Sequence, residues 1–472
     1  MQDQEEEVKF SKTERGAEVL IYKGFDYVER KERRTLEGKK SWRCRDHKKH
    51  KCSASLYTHG DVVIQEEGWS MHSHTGDPLL PKKRQVQALL RERASVSMET
   101  TSSVVSSALQ GASADSLQRL PKRTALDDNC RAKRRATNPV QANPQSLNFV
   151  MPAEFVDMVL YDSGPQDPNR FIILGKIELM EVLENADVWL GDGTFDVCPS
   201  VFYQLYTIHT KVGNSFPPCV YFLLPNKTQE IYSRALEQLR VLIPNASPDT
   251  VLVDFEAAAI NAFRQAFPTA ELKGCYFHHG QSLNRKVGEL GLKLDYESNP
   301  DFNMAVKSLQ ALAFVPEENV LEIFLELAES FPDLERVEEL VAYFEVTYVR
   351  GRERGGGRGW APPRYSLAFW NHFNSTLNNV PRTTNAVEGY HNALNSLFLA
   401  KNPSVWKLMT GLQKDMTLQL KTLADDRVAN NPPVRQKYVI LNQRLATKVT
   451  TFANTANKLE YLRSIAHINS TV

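Results

Sequence analysis

Between Val188 and Leu290 the chain alternates short apolar runs with stretches of helical spacing. Val188, Trp189 and Leu190 lead into Asp192 and Gly193, and Val251, Leu252 and Val253 lead into Asp254; apolar runs this short predict buried strands. After Asp254, the residues Ala257, Ala258, Ile260 and Phe263 share one face of an amphipathic helix, so this part predicts strand, carboxylate, helix. Phe202–Lys211, Cys219–Leu224 and Ala270–Lys273 predict further strands, and Gln281–Leu290 a helix. Beyond 300 the period is helical: Val320, Ile323, Phe324 and Leu327, then Val337, Leu340, Val341 and Phe344, then Val387, Tyr390, Leu394 and Leu397, and finally Trp406, Leu408, Met409 and Leu412. Near the N-terminus the period is two, with Val19 and Ile21, then Leu56, then Val62 and Ile64, which predicts a small antiparallel sheet. Val86, Leu89 and Leu90 predict a short helix and Ser116–Arg135 a second that touches DNA, whereas Ser95–Ser107 and the Gly- and Arg-rich Arg350–Trp360 are expected to be flexible.

Composition narrows the class. The 472 residues are 42% hydrophobic and 24% charged, which is ordinary globular usage and enough chain for roughly three domains. No run of eighteen apolar residues occurs and the N-terminus is acidic, so neither secretion nor a membrane span is expected. Six cysteines without a disulfide spacing point to a reducing compartment. The net charge of +1 conceals a polarity: residues 8–135 hold 27 Lys and Arg against 16 Asp and Glu, and residues 136–472 hold 30 against 36. The basic part is the expected DNA-docking part.

Two sets of residues carry chemistry. Asp192, Asp254 and Glu388 each stand near the end of a predicted element, and carboxylate oxygens so placed are good ligands for Mg²⁺, a hard ion that also takes water and substrate phosphate. Two such ions roughly 4 Å apart serve phosphodiester chemistry. Singly, each of the three also reads as a turn former, a cap or a partner of a helix dipole. Cys44, Cys52, His72 and His74 supply the inventory of a closed Cys₂His₂ zinc site, with His72 and His74 on the same side of an extended segment. So few apolar residues over some sixty positions need such a staple. Lys39, Lys40, Arg43, Arg45, Lys48, Lys49 and Lys51 cluster about it, where contacts to DNA phosphates would give salt-dependent affinity; a solvated surface is the alternative.

Residues 186–290 and 381–395 resemble the transposases of Mutator-like elements, a DDE branch with an RNase H-like fold. The resemblance rests on Asp192-Gly193-Thr194-Phe195, Val253-Asp254-Phe255-Glu256-Ala257, Gly274-Cys275-Tyr276-Phe277-His278 and the run from Arg382 to Asn392, in that order. It implies that Asp192, Asp254 and Glu388 are the catalytic metal-binding triad for two Mg²⁺ or Mn²⁺. The family often has Trp where this chain has Tyr390. Cys275 and His278 match its Cys-x-x-His signature; metal ligation, DNA contact and packing all remain open for the pair, with a local structural or DNA-positioning role preferred. His391 reads as capping or packing, with positioning of a scissile phosphate as the alternative. Residues 16–76 resemble the FLYWCH zinc finger through Tyr22, Gly24, Phe25, Tyr27, Trp42-Arg43-Cys44, Cys52-Ser53-Ala54 and His72-Ser73-His74.

The expected protein is therefore α+β and multidomain: a small antiparallel-sheet zinc finger (14–78), a basic, partly helical or disordered linker (79–150), an RNase H-like α/β catalytic core (151–299), an all-helical insertion with the Gly/Arg loop (300–380), and a helical C-terminus bearing Glu388 (381–472). The function expected is metal-dependent cleavage and strand transfer of double-stranded DNA at element ends and target, by a homo-oligomer in synapsis. Pro81-Lys82-Lys83-Arg84 and the pair of clusters Lys122-Arg123 and Arg131–Arg135 suggest import to the nucleus. A domesticated, non-catalytic DNA-binding regulator is the main alternative, and a nuclease acting on RNA–DNA hybrids the weaker one.

Overall fold

The computed structural model describes residues 8–12, 17–30, 39–64, 71–96, 99, 101–110, 117, 120–137, 143–355, 359–398, 401–429, 433 and 436–470. They form two compact units, Met1–Ala142 and Asn143–Val472.

The first unit holds a six-stranded antiparallel meander paired in chain order: β1 (Lys9–Lys12), β2 (Glu18–Tyr22), β3 (Phe25–Glu29), β4 (Lys39–Cys44), β5 (Ser55–His59) and β6 (Val62–Ile64). Lys23 and Gly24, both at positive φ, make the two-residue turn between β2 and β3, the left-handed pair that matches strand twist. Leu20, Tyr27, Trp42 and Leu56 form the sheet's core, and Trp42 Nε1 donates to Thr58 Oγ1 at 2.9 Å. Val19, Leu20 and Ile21 are buried in succession, so β2 is covered on both faces rather than one. Val62 lies on the edge strand β6, as the alternation predicted a strand there, and is 67% exposed.

Among the described residues three helices follow, α1 (Leu80–Val96), α2 (Thr101–Leu109) and α3 (Arg123–Thr137), around Val86, Leu90, Val104, Val105, Leu126 and Cys130. Most of the stretch expected to be flexible, Ser95–Ser107, is thus helical where it is described: Val104, Val105 and Ala108 give α2 a buried face that its serines obscured in the sequence. Residues 97, 98 and 100 lie outside the described part. Arg84 of α1 and Arg45 both reach Asp26 of β3, tying helices to sheet, and Lys83 pairs with Asp77.

In the second unit a seven-stranded mixed sheet is built from β7 (Val159–Asp162), β8 (Ile172–Gly175), β9 (Val188–Thr194), β10 (Gln204–Thr210), β11 (Pro218–Leu224), β12 (Thr250–Val253) and β13 (Glu271–Gly274), in the order β13-β12-β9-β10-β11-β8-β7. β9, β10 and β11 are an antiparallel meander, while β12 runs parallel to β9 and β13 parallel to β12. That is the RNase H-like order, extended at one edge by β8 and β7. Its core is lined by α4 (Ile177–Glu184), α5 (Gln229–Leu242) and α6 (Ala257–Ala266) through Leu183, Leu236 and Phe263.

The insertion is helical, with α8 (Pro300–Ala311), α9 (Glu317–Glu329) and α10 (Val337–Phe344) following α7 (Tyr276–Glu289). It shares one core with α13 (Gln436–Thr450) and α14 (Lys458–Ser470), where Leu309, Phe324 and Leu340 meet Leu445, Tyr461 and Ile465. Between them run α11 (Asn385–Phe398) and α12 (Val405–Arg427). The buried stripe of α11 is Val387, His391, Leu394 and Phe398, not the expected set ending at Leu397, which is 39% exposed. The described flanks of the Gly/Arg segment, expected to be mobile, are bonded to each other: Arg354 N donates to Gly359 O at 2.8 Å, Ala361 N to Arg352 O at 2.8 Å, and the Arg350 guanidinium stacks 3.8 Å from the Trp360 ring centre. Residues 356–358 of it lie outside the described part. No described helix is long and apolar enough to cross a membrane.

Candidate active site and zinc site

Strand register decides where the first two carboxylates go. The β9–β12 ladder ends with Leu190 opposite Leu252, and Asp192 and Asp254 each lie two residues further on. A step of two keeps a side chain on the same face, so the two carboxylates emerge together beyond the ladder's end. Asp192 is inside β9 rather than at its end, because β10 continues to pair there through Thr207. The flanking glycines have a packing reason: a Cβ on Gly191 would collide with the Tyr206 hydroxyl, and one on Gly193 would come within 2.8 Å of Gln204 Oε1.

Glu388 reaches the pair because of its neighbour. Val387, fully buried, packs against Leu190 and Leu252 in a small cluster under the two aspartates. This seats the first turn of α11 on the sheet, and Glu388 follows one residue later. The turn is fixed at its start by Cys275, whose Sγ accepts from both the amide and the hydroxyl of Thr384 at 3.3 Å, while Thr384 O accepts from Val387 N at 2.8 Å and Glu388 N at 3.0 Å. Cys275 thus ties the start of α7 to the start of α11.

His278, one turn into α7, sets Nε2 3.2 Å from Glu388 Oε1, an ion pair that leaves both Oε1 and the ring Nδ1 without a well-directed hydrogen bond. Burial raises Asp192 to about 7, and Asp254 and Glu388 add to this, against the opposing charge of His278 and the Gly193 amide. Asp254 is also raised, chiefly by burial. Burial alone would lower His278, yet Cys275, Glu388 and Asp192 raise it to about 11, so the ring is a cation among the carboxylates. Desolvated acidic groups whose charge is incompletely compensated are the donor set that a hard cation suits. The three are neighbours without converging on a single point. Among the described residues, only the zinc-type group below brings such ligand atoms within 4.8 Å of one another.

His391 is 6% exposed and backs Asp192. His209 Nδ1 donates to Phe216 O at 2.9 Å, so its Nε2 accepts from the Thr207 hydroxyl at 2.9 Å, and Thr207 in turn accepts from His391 Nε2 at 3.0 Å. That leaves the His391 Nδ1 lone pair facing Asp192 Oδ2 at 3.6 Å, beyond hydrogen-bond range. Burial pushes His391 down to about 4, which keeps it neutral. Tyr390 is held in the structure as well, donating to Asp415 Oδ2 at 2.7 Å.

In the first unit Cys44, Cys52, His72 and His74 come together as expected. Cys52 Sγ lies 3.3 Å from His72 Nδ1 and Cys44 Sγ 3.3 Å from His74 Nε2. Two residues the sequence did not single out for this orient the ligands. The Tyr27 hydroxyl lies 2.6 Å from His72 Nε2, fixing that ring so that Nδ1 faces the thiols, and Phe25 stacks on the His72 ring at 3.5 Å and 3°. A hydrogen bond on the far nitrogen is the usual support of a metal-bound imidazole. Burial lowers His72 to about 4, so it is neutral and able to ligate. Burial raises the Cys44 thiol to about 11, while backbone amides hold Cys52 below the ordinary thiol value despite its own burial. The group fits a structural zinc ion.

The basic residues around it divide. Lys40 pairs with Glu18 at 2.7 Å and Arg45 with Asp26 at 3.3 Å, so these two are engaged within the unit. Lys39 is partly buried, and Arg43, Lys48, Lys49 and Lys51 are exposed.

No curated protein matches the chain. Two families do: the chain carries a MULE transposase domain over residues 188–282 and a FLYWCH zinc finger domain over residues 10–74, the two parts of a transposase-like, DNA-binding protein.

Proposed function

We propose that the chain is a DDE-type transposase of the Mutator-like class, which cleaves DNA strands at element ends and joins the freed ends to target DNA. The observation that carries the proposal is the small cluster of Leu190, Leu252 and Val387: Asp192 and Asp254, both within the matched transposase domain, follow two residues after the leucines, and Glu388 follows the valine by one. In this reading the three carboxylates hold two Mg²⁺ or Mn²⁺, which would supply Lewis-acid activation of the attacking oxygen and charge stabilisation of the leaving one. His391 packs behind Asp192 without bonding to it, and Cys275 and Thr384 position Glu388. The His278 cation pairs with Glu388. Water is the nucleophile in the first step, which breaks the bond from phosphorus to the 3′ oxygen; in the second the released 3′-hydroxyl attacks a target phosphorus, and the target's own 3′ oxygen leaves and takes up a proton.

DNA recognition falls to the zinc-bearing sheet, with Arg43, Lys48, Lys49 and Lys51 on phosphates. Nuclear import and assembly of two or more copies on paired element ends belong to the same proposal. A regulator that has lost catalysis is not favoured, since no carboxylate of the three is missing.

The test uses the purified protein, Mg²⁺ and duplexes selected for binding to it. Wild type should nick these duplexes, and Asp192→Ala, Asp254→Ala and Glu388→Ala should lose nicking by about a thousandfold or more while binding DNA as before. Undiminished nicking by any of the three removes that carboxylate from the mechanism.

A further inference from the structure

A cavity of about 340 Å³ opens against Phe255, the residue that follows Asp254. Its walls combine Tyr343, Tyr348 and Tyr365 with Arg285, Lys286 and Arg364, none of which the carboxylate site uses. The volume is at the low end for pockets that take a ligand, far too small for a duplex and sufficient for a single base.

The rings are preset. Tyr365 and Tyr348 stack with centres 5.8 Å apart at 21°; the Tyr365 hydroxyl donates to Phe255 O at 2.7 Å, and the Tyr348 hydroxyl lies 2.6 Å from Ser282 Oγ. Tyr343 stands edge-on to Tyr348 at 6.1 Å and is half-buried. The one acid among the lining residues, Glu289, lies 3.5 Å from Lys286 and takes up that charge. Arg285 is exposed with no acid paired to it among the described residues, and Arg364 lies 5.4 Å from the Tyr365 ring centre. Flat π faces bounded by guanidinium groups suit a nucleotide that has left the base stack, the rings taking the base and the cations its phosphates.

We propose that this cavity receives one unstacked nucleotide of the DNA strand that enters the carboxylate site. Its place beside Asp254 ties the inference to the strand-cleavage reading, on which it rests.

The experiment uses the full chain with Ca²⁺ in place of Mg²⁺, and two probes carrying a single 2-aminopurine: a 20-nucleotide single strand, and the same sequence as a duplex with a 3′ overhang. Stacking on a ring quenches 2-aminopurine fluorescence. Quenching is expected with wild type and Tyr343→Phe; Tyr343→Ala should abolish it and weaken single-strand binding about fivefold or more. Arg285→Ala, at an exposed position where folding is not at risk, should weaken binding and its salt dependence while the quench at saturation persists. Quenching by Tyr343→Ala equal to wild type overturns the proposal, and so does binding by Arg285→Ala unchanged at low salt. A parallel nicking assay in Mg²⁺ separates the two readings: nicking without a Tyr343-dependent quench sinks the cavity and spares strand cleavage, whereas a Tyr343-dependent quench without nicking does the reverse.

Discussion

Val387→Ala separates the position of Glu388 from its chemistry. Val387 is fully buried against Leu190 and Leu252, so the truncation removes two carbons from a closed apolar contact. At about 0.8 kcal/mol per buried carbon the transfer loss is about 1.6 kcal/mol, and the void left beneath the sheet end raises the total to about 2 kcal/mol. Urea unfolding of the full chain should register that loss. The larger effect is positional. Without the valine, the start of α11 is held mainly by the two Thr384 contacts to Cys275, and a carboxylate displaced by about 1 Å costs roughly a hundredfold in rate. Nicking should therefore fall by about ten- to a hundredfold, while zinc content and affinity for DNA stay at wild-type values. Full nicking together with the stability loss would refute the reasoning, because Glu388 would then be placed by something other than this cluster.

Other outcomes follow from the same contacts. Tyr27→Phe removes the hydrogen bond on His72 Nε2 and should lower zinc affinity about 10- to 100-fold in competition with a chromophoric chelator; unchanged affinity would mean that Tyr27 serves packing alone. Charge removal at Arg43, Lys48, Lys49 or Lys51 should each reduce the slope of log affinity against log salt by about one, with Lys40→Ala changing it less because Glu18 already holds that ammonium. Burial lowers His209, His279 and His372 to about 3, so only the unfolded chain takes up protons as pH falls below the ordinary value of about 6.5. Their stability contribution is complete above that pH and declines by about 1.4 kcal/mol per histidine per pH unit towards pH 3, which urea titrations at pH 7 and 5 will show. His279 is packed among Phe255, Phe344, Tyr348 and Trp370 with neither ring nitrogen bonded, so His279→Phe should fold normally and remove its own share of that acid slope, about 1.4 kcal/mol per pH unit.

The parts of the fold governed by local pattern were legible in the sequence. Short apolar runs marked β9, β12 and β13, and because Asp192 and Asp254 close such runs, their meeting followed from parallel pairing. Cys44, Cys52, His72 and His74 were legible because zinc chemistry permits few residue types. What escaped depends on contacts between distant segments. Tyr27 and His72 are 45 residues apart, and nothing in either segment marks the hydroxyl as the ring's partner. The cavity beside Phe255 draws on residues from 255 to 365, each of which alone reads as core or surface. In α11 the buried position is His391 rather than Tyr390, because the Thr207–His209 pair gives the imidazole a polar partner inside the sheet, something hydropathy cannot register. At α2 and at the flanks of the Gly/Arg segment, composition misled: serine content hid an apolar face, and glycine content hid backbone bonds from Arg354 to Gly359 and from Ala361 to Arg352, closed by Arg350 on Trp360.

The central claim is that Asp192, Asp254 and Glu388 together hold the ions that cleave DNA. Crystals soaked in Mn²⁺ and measured at the manganese absorption edge test it most directly. Anomalous density is expected within bonding distance of oxygens from all three side chains, and should vanish in Asp254→Ala. Density confined to other carboxylates, in a protein that nicks DNA with the same Mn²⁺, would contradict it.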